Sequence, residues 1–530
     1  MRLNACAILI STLLVTTAAS AQQALPALPA LPKVFEEPIA LYTKVLGDFK
    51  RPISTTSPEA QAYFTQGFVM MYAFAKQEAT RSFREAEKRD PNCAICYWGE
   101  AWSWGSYLNA PMTADEAPHA YAAAQKALQL AGNATPKERD MIQAMSNRYV
   151  REFKVDARMD QERAYADAMR PVYERYRDDL DIATLYADAL FLLEPRRGSR
   201  DKDAPPVMQL HNVLEEILNK DIRHPGACHL YIHATESTTD PAKAEACAEF
   251  IGNAIPGASH INHMPSHTWN EVGRWGDSVR ANIQAWHSDL KAKINQGFAI
   301  YPQHNLHMLL YAASMDGQGA IAIQAGRDYT KLMGTNMYHL LTLVRFGRFD
   351  EIAAITERPK PVIDAGMWDF AQGYARLRAG ETDFARAFLN RVLAGSKMEG
   401  SFRNHSAADL LGTVGGILEG EVLLQEGNVN GAIAAFERAA SLEDHMIYDE
   451  PEPLPFAARH WLGAALLEAH RYSDAERVYR EELEDHPHNG WSVQGLKAAL
   501  DAQGKPSPQV DADLDASWSR SDTWIRTSKF

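Results

Sequence analysis

Basic charge is what this 530-residue chain has too little of. It carries 54 Lys and Arg against 68 Asp and Glu, a net charge of −14. A nucleic-acid binder would show a basic face, so that class is excluded. No run of like charge provides a polybasic membrane patch or an acidic tail. β-Branched alternation is scarce, so strands are not expected. A Gly-rich phosphate loop, a Gly-x-Ser-x-Gly elbow and a His-Glu-x-x-His motif are all missing. Beyond the N-terminal segment no apolar run is long enough to span a bilayer.

Positions 1–21 read as a secretory signal. Arg2 gives a short positive start, positions 6–15 are mostly apolar, and Ala19-Ser20-Ala21 forms a small-residue cleavage site. The apolar run is short for a membrane anchor. No Cys follows the cleavage site to take a lipid. The mature protein is expected to be periplasmic or secreted, with no transmembrane segment. Of five cysteines, Cys93, Cys96, Cys228 and Cys247 remain after cleavage. An even count in an exported chain favours disulfides.

A Pro/Ala/Leu stretch over residues 24–32 should be extended, because its prolines block helix. From about residue 58 onward the periodicity is helical, in short segments with Pro- or Gly-marked turns. The segments repeat with the period of a helix-turn-helix solenoid, about 34 residues. In residues 60–93, Gly67, Ala79, Phe83, Ala86 and Pro91 fall at positions 8, 20, 24, 27 and 32. In the unit from Pro225, Ala244, Ala248 and Pro256 fall at 20, 24 and 32. Later turns are marked by Gly273, Gly347, Gly380 and Gly427, and a last unit contains Gly463, Tyr472, Ala475 and Pro487. This pattern resembles the tetratricopeptide repeat (TPR), which implies an all-α TPR-type solenoid of antiparallel helix pairs. Residues 93–112 and His263-Met-Pro-Ser-His267 resemble one group of exported bacterial TPR proteins, a likeness that implies a fold and no reaction. The expected organisation is a signal (1–21), a Pro/Ala-rich segment (22–57), an N-terminal TPR-like region (58–224), histidine-bearing units (225–330), C-terminal units (331–510) and a tail (511–530). A charged stretch, 194–203, reads as an insertion between two helices.

The histidines carry the functional signal. His229 and His233 recur one period later as His263 and His267, and His304 with His307 follow after a short insertion. An i, i+4 pair puts two imidazoles on one helix face. In the TPR pattern, positions 2, 5, 9 and 12 of a unit line the concave groove. With Pro225 as position 1, His229, His233 and Glu236 are 5, 9 and 12. From Ser259, His263 and His267 are 5 and 9; anchoring on Gly317 makes His304, His307 and Tyr311 2, 5 and 9. Neighbouring helix axes lie roughly 8–10 Å apart. Imidazoles from three helices can therefore meet on one ion through bonds of about 2.0–2.1 Å. Pro265 requires a helix start between His263 and His267.

All-imidazole coordination suits a transition metal. Copper leads on the exported location, with zinc or iron as alternatives. Six histidines can serve one ion with spares, or two ions with three each. Glu236 is either a general base acting on a metal-bound water or a partner that orients a histidine. Tyr311 is a candidate ligand or acid. Met337 reads either as core or as a thioether facing the groove. The Cys93–Cys96 pair fits a disulfide or paired thiols, a redox pair at a helix start, or a metal ligand pair. No His follows Cys96, which excludes a c-type haem site. Cys228 and Cys247, at positions 4 and 23 of one unit, can bridge its two helices, worth about 2–4 kcal/mol. Trp98, Trp102 and Trp104 read as core, and His339, His405, His445, His460 and His470 as ordinary residues. The expected function is a metal-binding solenoid, as an oxidase-like or hydrolytic metalloenzyme or as a metal carrier. It would take a small molecule or peptide in its groove. The alternative is a non-catalytic scaffold that binds a peptide.

Overall fold

A computed structural model describes residues 28–195 and 198–530. The signal at positions 1–21 lies outside the described residues. The described chain is an all-α solenoid of the TPR type, a succession of short helices from Pro58–Tyr72 and Lys76–Arg89 to Gly490–Ala502 and Pro508–Trp518. Among the described residues the only sheet is a two-residue hairpin, Ser401–Phe402 with His405–Ser406. The 194–203 stretch does separate two helices, Leu180–Phe191 and Pro205–Lys220.

The turns inside the hairpins share one construction. Trp269 O accepts from the Arg274 N–H at 2.8 Å, Leu343 O from Arg348 at 2.9 Å, and Leu423 O from Asn428 at 2.8 Å. These six-to-one bonds are Schellman caps, which need a left-handed residue just before the donor. Gly273, Gly347 and Gly427 supply it, with φ of 72°, 65° and 78°. Glycine takes that conformation without a Cβ clash. In the first repeat the position is held by Phe74, at φ 58°, where a bulky residue is strained.

Helix pairs close around aromatic wedges. Gly67, Phe83 and Gly99 stand at even intervals along the chain, and Gly463, Tyr479 and Gly495 repeat the same intervals. A Cβ at Gly67 or Gly99 would lie 2.9 or 2.4 Å from the Phe83 ring; at Gly463 or Gly495 it would lie 2.3 or 2.1 Å from Tyr479. One ring from the second helix of a unit therefore fills the space left by glycines on the helices before and after it.

The apolar interior forms two clusters. One runs from Ile39 to Tyr301 and includes Ile261 and Met264; the other runs from Trp275 to Phe530 and includes Leu306 and Leu309. The histidine-bearing helices lie where the two meet. The last third of the chain then folds back over those helices. The Trp275 indole donates to Pro487 O at 2.9 Å, and the Trp491 indole donates to Ser314 O at 2.9 Å. The Arg520 guanidinium grips the Asp316 carboxylate at 2.8 and 2.6 Å.

Gly420→Val is expected to cost roughly 1–3 kcal/mol by overpacking, because a Cβ there would sit 2.3 Å from Phe436. Gly427→Ala meets nothing within 4 Å and should lose only about 1–2 kcal/mol, the left-handed backbone cost. Equilibrium denaturation of both variants checks that order.

Candidate metal centre

Four helices carry the site: α1 (Pro225–Thr235), α2 (Ser259–His263), α3 (Pro265–Glu271) and α4 (Pro302–Met315). His224 caps α1, its Nδ1 accepting the Ala227 N–H at 3.1 Å. Pro265 opens α3 at the first helical position, where its missing N–H costs nothing. His263 thus ends α2 and His267 lies on α3. The Cys228–Cys247 disulfide ties α1 to helix Glu245–Ile251, and Cys93–Cys96 closes a buried loop at the start of Ala94–Trp104.

The histidines assemble into two groups of three. His229, His233 and His260 form one, and His263, His267 and His304 the other; within each, one ligand atom per residue lies within 4.8 Å of the rest. Five of the six rings are 0–2% exposed, and His304 is partly buried. Rings of the two groups approach closely, with centroids 5.0 Å apart for His233–His267 and 4.8 Å for His260–His263. One carboxylate spans them. Glu236 Oε1 accepts from His233 Nδ1 at 2.9 Å, and Oε2 from His267 Nδ1 at 2.5 Å. A carboxylate that accepts from both fixes the proton of each ring on Nδ1 and leaves Nε2 as the lone-pair nitrogen. The Tyr72 carbonyl does the same for His229, accepting from Nδ1 at 2.6 Å. His260 links the groups, with Nε2 3.1 Å from His229 Nε2 and Nδ1 3.0 Å from His263 Nε2. The other His263 nitrogen, Nδ1, is buried without a hydrogen-bond partner. Burial holds His260, His263 and His304 well below the usual imidazole range, and the neighbouring histidines add to it. Neutral rings are the form that ligates a metal.

Two predicted site residues stand elsewhere. His307 is in neither group: its ring packs at 4.2 Å on Tyr338, and its Nδ1 is 3.4 Å from the Tyr338 hydroxyl. The insertion before α4 shifts the repeat phase, so His304 meets the site and His307, one turn on, meets the next repeat. Tyr311 is bonded to His486 Nε2 at 2.9 Å and Glu452 Oε2 at 3.3 Å, not to the histidine groups. Glu236 lies between two rings within hydrogen-bond reach of both, and with His233, His267 and Glu450 it forms a third group whose ligand atoms lie within 4.8 Å of one another. Met337 packs into the second core, and Trp98, Trp102 and Trp104 into the first. The face expected to line an open groove is buried, because the returning C-terminal part covers it.

Sequence reasoning missed His260, although the register held it: with Ser259 as position 1, His260 is position 2. It also missed Glu450, whose Oε2 lies 3.4 Å from His267 Nδ1 and 3.9 Å from His233 Nδ1. Glu450 sits between helices Val429–Asp444 and Arg459–Glu468, outside any repeat position. Phe74 had no signal either; its ring centroid is 4.1 Å from that of His229 and 5.5 Å from that of His260.

Beside His267 is a cavity of about 60 Å³, lined by Glu271, Trp275, Tyr311, Glu450, Glu452 and His486 among others. Burial opposes a charge on His486, but Glu452 and Glu482 outweigh it and hold the ring well above the usual range. Burial, and then Glu236 and Glu452, push Glu271 up to about 8.

No protein-family model matches the chain, and no curated protein matches it. Among solved structures it is similar to the Cut9–Hcn1 hetero-tetramer of APC/C (TM-score 0.30, 14% identity, 88% of this chain and 74% of that one). It is similar also to the human IFIT1 dimer with m7Gppp-AAAA (0.30, 11%, 88% and 90%). A third is the TPR domain of P58(IPK) (0.22, 10%, 84% and 98%). These are loose superpositions of helical arrays, and the fold rests on this chain's own helices and turns.

Glu271 gives a pH test. A carboxyl raised in the folded state stabilises below its unfolded value and loses that contribution as pH rises through the folded one. Glu271→Gln should therefore raise the melting temperature at about pH 9, where the wild type must ionise a half-buried carboxyl, and change it little at about pH 4. Thermal melts at both pH values check it.

Proposed function

We propose that this chain is an exported metalloprotein holding a binuclear transition-metal centre, one ion per tri-histidine group. The observation that carries it is the packing of two imidazole triads inside the solenoid, bridged by Glu236 and containing the partnerless His263 Nδ1. Burying that much imidazole without a compensating ligand costs free energy, and a metal ion offsets the cost. All-nitrogen sets suit copper, zinc or iron; with an exported location copper leads. The ions would supply redox or Lewis-acid chemistry. The protein's part is to fix tautomers through Glu236 and Tyr72 and to shield the site. Among the described residues, the walls of the cavity next to His267 hold several carboxyl groups and His486 but no Lys or Arg. The cavity suits a small molecule that donates hydrogen bonds or carries positive charge.

A second reading, a peptide-binding scaffold, has its own observation. The non-helical stretch 521–530 already lies against helices of the C-terminal repeats. There Ser528 is buried beside Tyr479 at 2.7 Å, and Phe530 O accepts from Arg378 at 2.7 Å. That face can hold an extended segment.

Elemental analysis of untagged protein decides between them. Two equivalents of metal are expected in the wild type and loss of metal in His229→Ala/His263→Ala; absence of metal, with no uptake of copper, zinc or iron, leaves the scaffold. Rapid surrender of the ion to a chelator would mark a carrier. Glu236→Gln can satisfy only one of the two Nδ1–H groups. It should weaken metal retention about 10–100-fold with the helical circular-dichroism signal unchanged.

A further inference from the structure

The cover over the histidine groups is tied down by one segment. After helix Pro508–Trp518 the chain runs without helix over residues 521–530. Exposure alternates along it. Ser521, Thr523, Ile525 and Thr527 are partly buried, and Asp522, Trp524 and Arg526 between them are exposed. A period of two marks an extended strap lying with one face on the protein. The strap is pinned twice. At its start, Arg520 holds the Asp316 carboxylate, the Ser521 hydroxyl donates to Gly317 O at 3.0 Å, and Asp522 accepts the Gly319 and Ala320 N–H groups. These partners follow directly on α4, the helix that carries His304. At its end, the Ser528 hydroxyl donates to His460 O at 2.5 Å, and Lys529 pairs with Glu421. His460 is in helix Arg459–Glu468, which follows the connection bearing Glu450 and Glu452. Arg378 holds Phe530 O at 2.7 Å, and the Phe530 ring meets the Trp491 ring at 6.0 Å. The strap thus joins one wall of the enclosure to the part of the chain that covers it.

We propose that residues 519–530 are a releasable strap that gates access to the buried imidazoles. With both anchors made the enclosure is sealed; with the strap detached the covering segment lifts and admits an ion or a small solute. Two features suit the strap to release. Of residues 521–530 only Ser528 is fully buried, and among the described residues no strand pairs with them. A segment with so little buried surface opens locally well before the whole protein unfolds. Arg520, which pins the first anchor, has a side chain 41% exposed, so water and salt weaken its ion pair. The rings need such an opening. His229, His233, His260, His263 and His267 are 0–2% exposed, so a solute reaches them only when the cover moves. The gate rests on the enclosure alone; its use in loading an ion rests on the metal reading.

Diethyl pyrocarbonate, which labels accessible neutral imidazoles, is the probe. Each histidine of the metal-free full chain is read by peptide mass mapping. In Arg520→Ala/Asp522→Ala, labelling of the five buried rings should run about tenfold faster than in wild type, the effect of removing one anchor. His119 and His211, buried elsewhere at 7% and 5% exposure, should label as slowly as in wild type. An unchanged rate at the five rings overturns the gate. An equal rise at His119 and His211 overturns it too, because it marks general unfolding. Ser528→Asp, which puts a charge into a fully buried position and frees the other end, serves if the first variant fails to fold. Copper-loaded protein reads the loading role separately. At equal initial content the variant should surrender its ion to EDTA about tenfold faster than wild type. Equal release beside faster labelling overturns the loading role and leaves the gate. Failure of the wild type to bind copper would instead sink the metal reading, and the labelling result would still decide the gate.

Discussion

One carboxylate holds the two halves of the centre together. Glu236 accepts from rings on α1 and α3, helices of successive repeats, so one contact joins those repeats and orients both His233 and His267. An ionised carboxylate has no proton to give, and both rings must present Nε2 in the same sense. Replace it with any group that donates, and one ring turns over. The Tyr72 carbonyl extends this control to a third ring from outside the histidine-bearing units, tying the first repeat to the site.

Imidazoles buried to this degree need a lid, and an open solenoid has none. The lid is the chain's own last third. Glu450 and Glu452 arrive on the connection before helix Arg459–Glu468. They are held there by contacts made much later, such as Arg520 on Asp316 and Trp491 on Ser314. Asp522 adds to the latch by accepting the Gly319 and Ala320 N–H groups at 2.7 and 2.9 Å, which neutralises the positive start of helix Gly319–Met333. Repeat proteins are built from nearest-neighbour contacts. Here distant contacts convert such an array into an enclosure.

The repeat fold was legible because its rules are local. Gly67 and Phe83 announce a wedge that is complete within one unit, and Gly347 or Gly427 a turn that is complete within one hairpin. Four predicted ligands from the first two units, His229, His233, His263 and His267, fall into the two groups for the same reason: no insertion separates those units. His304 meets them as well, but His307 does not, because the insertion before α4 spoils the count. His260 was visible in register and passed over because it lacks an i+4 partner. Glu450, Phe74 and the burial of the whole site were not legible. Each depends on how the chain returns on itself, and a period read from sequence carries no information about closure.

Closure also makes the centre asymmetric. At the His267 end, Glu450 and Glu452 flank the cavity, with the Glu271 carboxyl raised to about 8 and the His486 imidazole held well above its usual range by Glu452 and Glu482. At the His229 end the walls are mostly apolar, with Phe74, Trp102, Leu185 and Leu230 beside the Asp188 carboxyl and the Tyr72 and Tyr107 rings. The two ends of one set of imidazoles therefore differ in chemistry. The difference follows from closure, because the repeat that carries His229 packs on the first core and the segment that carries Glu450 belongs with the second.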